Sequence, residues 1–250
     1  MVSAKLLTTL LPLLTLSAVT SAENSTPPKF RQYGFVLFRA VDPIDVWGSY
    51  EILQHQGRNN KIDIALIAET MDPVKTEPAM PAMNPMNSSV WPLIPPTHTF
   101  DNAPELDVLI IPGGPGMRAD TLNRTLEYIA KTAPKVKHIL TVCTGSALAA
   151  RAGIMNGKKA TTNKTSWPVQ FGPNTTWIGR ARWVEDDSGP VPIWSSSGIT
   201  SGMDLTFHFV EQFYSAENAT RIATIMEYVR NMDKNNDPFA RNETVYPVSS

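Results

Sequence analysis

Val136-Lys-His-Ile-Leu-Thr-Val-Cys-Thr-Gly-Ser-Ala-Leu-Ala-Ala-Arg-Ala-Gly153 passes from an apolar run into a small-residue helical pattern with almost no loop between them. Cys143 stands at the junction and is the single cysteine among 250 residues. A sharp strand-to-helix turn lifts the side chain at its apex out of the sheet and aims the next helix at it. Unpaired N–H groups at a helix start favour a thiolate, so the spacing predicts an activated Cys143. The alternative is a core cysteine closing a buried strand.

Working outward, the flanking segments alternate strand and helix. Tyr33–Arg39 is apolar, β-branched and aromatic, as expected of a buried first strand. Helical spacing follows over Ile44–Gln56, with Ile44, Trp47, Ile52 and Leu53 as its apolar set. Ile62–Ala68, Leu106–Pro112 and His138–Val142 read as further strands, and Leu122–Thr132 as a helix. Continuous apolar runs suit parallel strands covered on both faces. Beyond the turn, Ala160–Asn163, Ala181–Glu185 and Val191–Ser196 read as short strands, Met203–Tyr214 and Ala216–Asn231 as helices. The pattern predicts an α/β, flavodoxin-like, doubly wound parallel sheet sandwiched by helices, with its crevice beyond the carboxyl ends of the strands. Asp42 to Asp45, Gly113-Gly114 and Cys143-Thr144-Gly145 all fall at such ends. Thr70 to Phe100, rich in Pro and Met, is a loop or short hairpin excursion, either a lid over an apolar pocket or an ordinary surface feature.

The first 22 residues have the make-up of a secretory signal: Lys5, an apolar stretch Leu6–Val19, then small residues ending at Ala22. The expected organisation is a signal peptide over 1–22, a linker over 23–32, one domain over 33–240 and a tail over 241–250. Without Lys5 the chain holds 21 basic against 23 acidic residues. No basic run stands out, so a nucleic-acid role is not expected, nor a membrane role after signal removal. Asn-X-Ser/Thr acceptors occur at Asn24, Asn87, Asn123, Asn163, Asn174, Asn218 and Asn242, in keeping with a secreted, extracellular glycoprotein of a eukaryotic pathway.

Together, Ile111-Pro-Gly-Gly114, Val142-Cys-Thr-Gly145, Gly153-Ile-Met-Asn-Gly157 and Gly198-Ile-Thr-Ser-Gly-Met-Asp204 resemble, in order and spacing, the ThiJ/PfpI superfamily of the class I glutamine amidotransferase-like fold. The resemblance covers about residues 33–240. It implies Cys143 as nucleophile on its elbow. It also implies that Asp45, in Val41-Asp-Pro-Ile-Asp-Val-Trp-Gly48, is the acid beside the cysteine. A carboxyl beside a thiolate favours its protonated form and can serve as proton donor. Asp42, followed by Pro43, is the better helix cap, which leaves Asp45 for chemistry. Cys-Thr-Gly with Asp at 45 is most similar to the isonitrile hydratase branch. Two positions depart from common family residues: Asn163 stands where relatives often have His, and Ser49 where Pro is common.

The resemblance implies a cysteine-dependent enzyme, expected from the N-terminal segment and the sequons to be secreted, that turns a small electrophile, an isonitrile, into an N-substituted formamide without a cofactor. Gly113, Gly114 and Thr144 would line an oxyanion site, with His98 as a further candidate from the 70–100 segment. The alternatives are a glyoxalase- or deglycase-like enzyme and a non-catalytic, redox-responsive binding protein. No His/Cys/Asp cluster has zinc-ligand spacing, so no metal is expected. Relatives are commonly dimers, which makes a non-covalent homodimer the expected assembly.

Overall fold

The structure, a computed structural model, describes residues 30–247. The expected signal peptide, most of the linker, Asn24 and residues 248–250 lie outside the described residues.

The chain opens with β1 (Gln32–Val36), α1 (Pro43–Gln56) and β2 (Asp63–Ala68). The 70–100 segment contributes three two-residue strands, β3 (Val74–Lys75), β4 (Leu93–Ile94) and β5 (His98–Thr99). Then come β6 (Val108–Ile111), α2 (Asn123–Thr132), β7 (His138–Thr141) and α3 (Gly145–Arg151). The remainder is β8 (Lys159–Ala160), β9 (Thr176–Ile178), β10 (Trp183–Asp186), β11 (Ile193–Ser196), α4 (Ile199–Phe213), α5 (Ala216–Ile225) and β12 (Thr244–Val245).

Seven strands form the central sheet in the order β10-β11-β7-β6-β1-β2-β5. Every neighbouring pair is parallel except β10 with β11, which closes one edge antiparallel. β6 and β7, at the centre, are buried at every residue. That explains the unbroken apolar sequence of β6, because helices cover both faces, while β7 buries His138 and Thr141 at its two ends as well. A small second sheet, β12-β9-β8, and the hairpin β3-β4 stand beside it.

Several elements differ from the sequence expectation, each for a tertiary reason. The first strand stops at Val36 because the chain turns through Ala40, at φ 58°, into the cap. On α1, Ile52 and Leu53 are buried as expected, but Ile44 and Trp47 are exposed (51% and 39%) and Val46 is buried in their place. Its buried face also carries Gly48 and Ser49, because it packs against α4. There the buried Ser49 hydroxyl meets Thr206 Oγ1 at 2.9 Å, a contact that proline could not make.

The strand expected over Ala160–Asn163 ends at Ala160. Thr161 N–H then turns to Ser195 Oγ (2.9 Å), and Thr162 Oγ1 reaches the Cys143 carbonyl (3.1 Å). α4 begins at Ile199, four residues before the expected Met203, and runs through Gly202. A Cβ on Gly202 would lie 2.4 Å from Val142 Cγ1, so glycine here lets the helix sit on the end of β7. α5 stops at Ile225 rather than Asn231. Glu227 adopts φ 48° and Tyr228 N–H bonds back to Ala223 O (2.9 Å), a Schellman closure.

Candidate active site

Cys143 sits immediately after β7 with φ 57°, the left-handed region that side chains rarely occupy. Holding it there costs about 1–3 kcal/mol, and the surroundings over-determine it. Its carbonyl accepts from Ser146 Oγ and Thr162 Oγ1, both at 3.1 Å. Gly145 completes the turn, since a Cβ there would fall 2.0 Å from Ile111 O on β6. The elbow is therefore clamped against the neighbouring strand, with its thiol 5% exposed.

Asp45, in the first turn of α1, is fully buried. Asp42 is the cap, its carboxylate accepting from Ile44 N–H (3.0 Å), so Asp45 takes no part in capping. Asp45 Oδ2 instead accepts from Gly113 N–H at 2.8 Å. Its other oxygen has no N–H or O–H partner, and the carboxyl lies against the Cys143 thiol. Burial raises the Asp45 pKa well above the carboxylate range, with the Asp42 charge adding to the effect. The direction is that of a carboxyl favouring its protonated form, and exclusion of water, more than any neighbouring charge, is its main cause.

The thiol departs from expectation. Burial, then the Asp45 charge, push Cys143 well above an ordinary thiol; Thr144 N–H and the Asn163 side chain oppose the rise by donating to sulfur. Burial thus works against the thiolate that the start of α3 was expected to favour.

The diglycine also has another role than the expected one. Gly113 N–H is committed to Asp45, and Gly114 N–H donates to Thr144 Oγ1 at 2.8 Å. Both amides brace the acid and the elbow, so neither is free as an oxyanion donor in this state.

Asn163 entered the sequence reading as an acceptor sequon and as a departure from a common family histidine, not as a site residue, yet the fold brings it to Cys143. It is half-buried, its Oδ1 accepts from Ser166 N–H (2.8 Å), and this orients its NH2 toward the Cys143 sulfur. The signal was its place in Ala160-Thr-Thr-Asn163, where relatives often carry a histidine. The amide keeps a donor there without imidazole chemistry. Among the other described sequons, Asn87, Asn123, Asn174 and Asn242 are exposed and Asn218 is half-buried.

His98 is not brought to the site. β5 is the far edge strand, four positions from β7, or about 19 Å at ordinary strand spacing. Its Nδ1 meets Thr97 Oγ1 at 2.9 Å. The Met/Pro-rich segment leaves Met80, Met83 and Met86 exposed. Among the described residues no cluster of His, Cys, Asp and Glu could hold a metal ion, and no helix is long and apolar enough to cross a membrane.

The DJ-1/PfpI family pattern matches residues 35–212. An isonitrile hydratase of Pseudomonas putida is 28% identical over 200 residues, 79% of this chain and 78% of that protein. The HTH-type transcriptional regulator GbdR of Pseudomonas aeruginosa is 26% identical over 137 residues, 55% of this chain and 36% of that protein. A ThiJ/PfpI family protein from Pseudomonas syringae superposes with a TM-score of 0.67 at 23% identity, covering 88% of this chain and 84% of that one. DJ-1beta of Drosophila melanogaster superposes with a TM-score of 0.60 at 15% identity, over 80% of this chain and 99% of that one.

Proposed function

The chain belongs to the DJ-1/PfpI family, and from that premise we propose that it is a cysteine-dependent hydratase acting on isonitriles. The observation that carries the reading is the buried juxtaposition of the Cys143 thiol and the Asp45 carboxyl, both held away from water. An isonitrile is slender, neutral and electrophilic at its terminal carbon. It needs a nucleophile and a proton delivered to the same carbon, which an adjoining thiol and carboxyl supply.

The proposed sequence begins with the pair as thiolate and carboxylic acid. Sulfur bonds to the terminal carbon while Asp45 passes its proton to that carbon, giving an S-bound thioimidate. Asp45, now a carboxylate, takes a proton from water as the oxygen adds to carbon, and this proton passes to nitrogen. The tetrahedral adduct expels sulfur as thiolate, its hydroxyl proton returns to Asp45, and the formamide leaves. Isonitrile and water are consumed in equal measure, and the pair regains its starting state. Thr144 N–H and the Asn163 amide stabilise the sulfur anion at both ends of the cycle.

The test is a substrate panel of alkyl isonitriles and small aldehydes, followed by NMR for formamide and for aldehyde loss. The expected result is formamide from wild type and none from Cys143→Ala. Aldehyde turnover alone would instead favour the glyoxalase- or deglycase-like alternative.

The likeness to a transcriptional regulator favours a second reading, a domain that binds a small molecule without turnover. Stoichiometric binding with no product would establish it. The composition of residues 1–22 and the seven sequons support export and glycosylation, and the family resemblance supports a homodimer; these complete the proposal.

A further inference from the structure

The segment after α5 lies beyond the residues matched by the family pattern, yet it grips the loop that carries Asn163. Asp237 is buried, its side chain wholly so. Its Oδ2 accepts from Ser197 Oγ (2.7 Å) and pairs with Lys164 Nζ (3.3 Å). Lys164 is the residue after Asn163. Its ammonium also meets Thr161 Oγ1 (2.6 Å), Ala181 O (2.8 Å) and Ser197 Oγ (3.0 Å).

Four residues further on, Arg241 Nη1 donates to the Lys164 carbonyl (3.2 Å), and its guanidinium stacks 5.3 Å from the Trp167 ring centroid. Trp167 holds φ 33°, and its N–H closes the loop on Asn163 O (2.8 Å). Ser197, the third partner of this network, precedes Gly198, where an added Cβ would be only 3.4 Å from Asn163 Nδ2. Both sides of the Asn163 amide are thus fixed from the same distal segment.

The segment is itself anchored at each end. Asn231 N–H and Tyr228 OH bond Asp204 Oδ1 (3.0 and 3.1 Å), and Arg182 N–H bonds Lys234 O (2.7 Å). At the far end Arg241 N–H bonds Gly179 O (2.9 Å), and β12 pairs antiparallel with β9.

We propose that residues 231–245 form a brace in which Asp237 and Arg241 are positioning residues, acting through Lys164 and Trp167 to hold the Asn163 amide on the Cys143 sulfur. A buried ion pair is a poor source of net stability compared with apolar packing, because desolvation offsets its attraction. What Lys164 and Asp237 supply here is geometry: Asp237, Thr161, Ala181 and Ser197 converge on one ammonium, one residue from the amide that faces sulfur. Burial lowers the Lys164 pKa to about 8 even with Asp237 opposite, so the amine remains largely protonated at neutral pH.

The inference rests on Asn163 facing Cys143, not on which electrophile Cys143 meets, and its readout is thiol chemistry rather than turnover. Cys143 is the chain's single cysteine, so iodoacetamide labelling of the full chain reports it alone. Asp237→Asn is expected to slow labelling at pH 7 about tenfold, the worth of one hydrogen bond to a charged sulfur, and to move the labelling profile to higher pH. Asn163→Ala should do the same, and adding Asp237→Asn to it should change labelling little further. Arg241→Gln leaves the buried pair intact and should shift the profile in the same direction by less. If Asp237→Asn does not fold, the Arg241→Gln and Asn163→Ala cycle decides the matter. An unchanged profile in the folded brace variants, or effects additive with Asn163→Ala, would overturn the proposal.

Discussion

Replacing Thr144 by valine isolates one atom of the elbow. The side chain is 3% exposed, and valine fills the same space. The hydroxyl accepts from Gly114 N–H at 2.8 Å and lies 3.3 Å from Gly114 O. Valine removes the acceptor and leaves a buried N–H with nothing to bond. One lost hydrogen bond is worth about 1 kcal/mol, and an orphaned donor adds about 1–2 kcal/mol. The expected cost is therefore about 2–3 kcal/mol. For a domain of this size each kcal/mol lowers Tm by about 2–4 °C, so Thr144→Val should melt about 5–10 °C below wild type. Thr144→Ser keeps the hydroxyl and loses a methyl, worth about 0.8 kcal/mol. Its expected drop is about 2–3 °C.

The same variants separate support from chemistry. Gly114 adjoins Gly113, whose N–H holds Asp45. Loosening the second glycine should disturb the acid more than substrate entry, so kcat should fall further than KM rises in Thr144→Val, with Thr144→Ser close to wild type. Thermal unfolding and steady-state rates on the same preparations read both effects. A Thr144→Val protein melting within a degree of wild type would refute the reasoning that the hydroxyl satisfies Gly114.

Asp45→Asn should keep the Gly113 bond while lowering turnover at least about tenfold. Because the folded carboxyl pKa is raised above the ordinary 3.8, the native state holds a proton that the unfolded chain releases, and native stability falls as pH rises above that value. Asp45→Asn removes this loss, so its stability advantage should grow with pH in denaturant titrations; a constant difference would contradict the buried-acid assignment. Cys143→Ser should fold, retain its circular dichroism and lose turnover, and full activity in it would exclude covalent catalysis. If the protein is exported, mass spectrometry should find glycan at exposed Asn87, Asn123, Asn174 or Asn242 and none at Asn163, whose Nδ2 meets the thiol. Occupancy at Asn163 in active protein would contradict the site geometry. Sedimentation should show a dimer that reductant does not dissolve, since Cys143 is buried at the elbow.

Local chemistry made much of this legible in the sequence. The unbroken apolar run of β6 announces a strand buried on both faces, and Asp42-Pro43 announces a helix start. The elbow is written in Cys143-Thr144-Gly145, because glycine alone tolerates the approach to Ile111 O. What escaped depends on distant partners. α1 buries glycine and serine where periodicity favoured Ile44 and Trp47, since α4 supplies the complement. The diglycine reads as an oxyanion site until Asp45 and Thr144 are seen to occupy both amides. His98 stands in a promising context, yet sheet order removes it to the opposite edge. Asn163 reads as a glycan acceptor, and only the fold turns its amide onto sulfur.

The electrostatics of the site argue for what can react there. Cys143 and Asp45 are both raised chiefly by exclusion of water; the Asp45 charge raises the thiol further, while the hydrogen bond from Cys143 partly offsets the rise at Asp45. Ionising both groups away from water is costly, so a reaction that uses the thiolate is best served by a proton passed on in the same step. Attack on a carbon that simultaneously accepts the Asp45 proton meets this condition, because no net charge is created in the buried site. Attack on a carbonyl meets it as well when Asp45 protonates the oxygen; an alkoxide left unprotonated would need a donor other than the two diglycine amides, which are bonded to Asp45 and Thr144. The hydratase and aldehyde readings therefore part on which atom takes the Asp45 proton, carbon in an isonitrile and oxygen in an aldehyde, and running the substrate panel on Asp45→Asn beside wild type tests that difference.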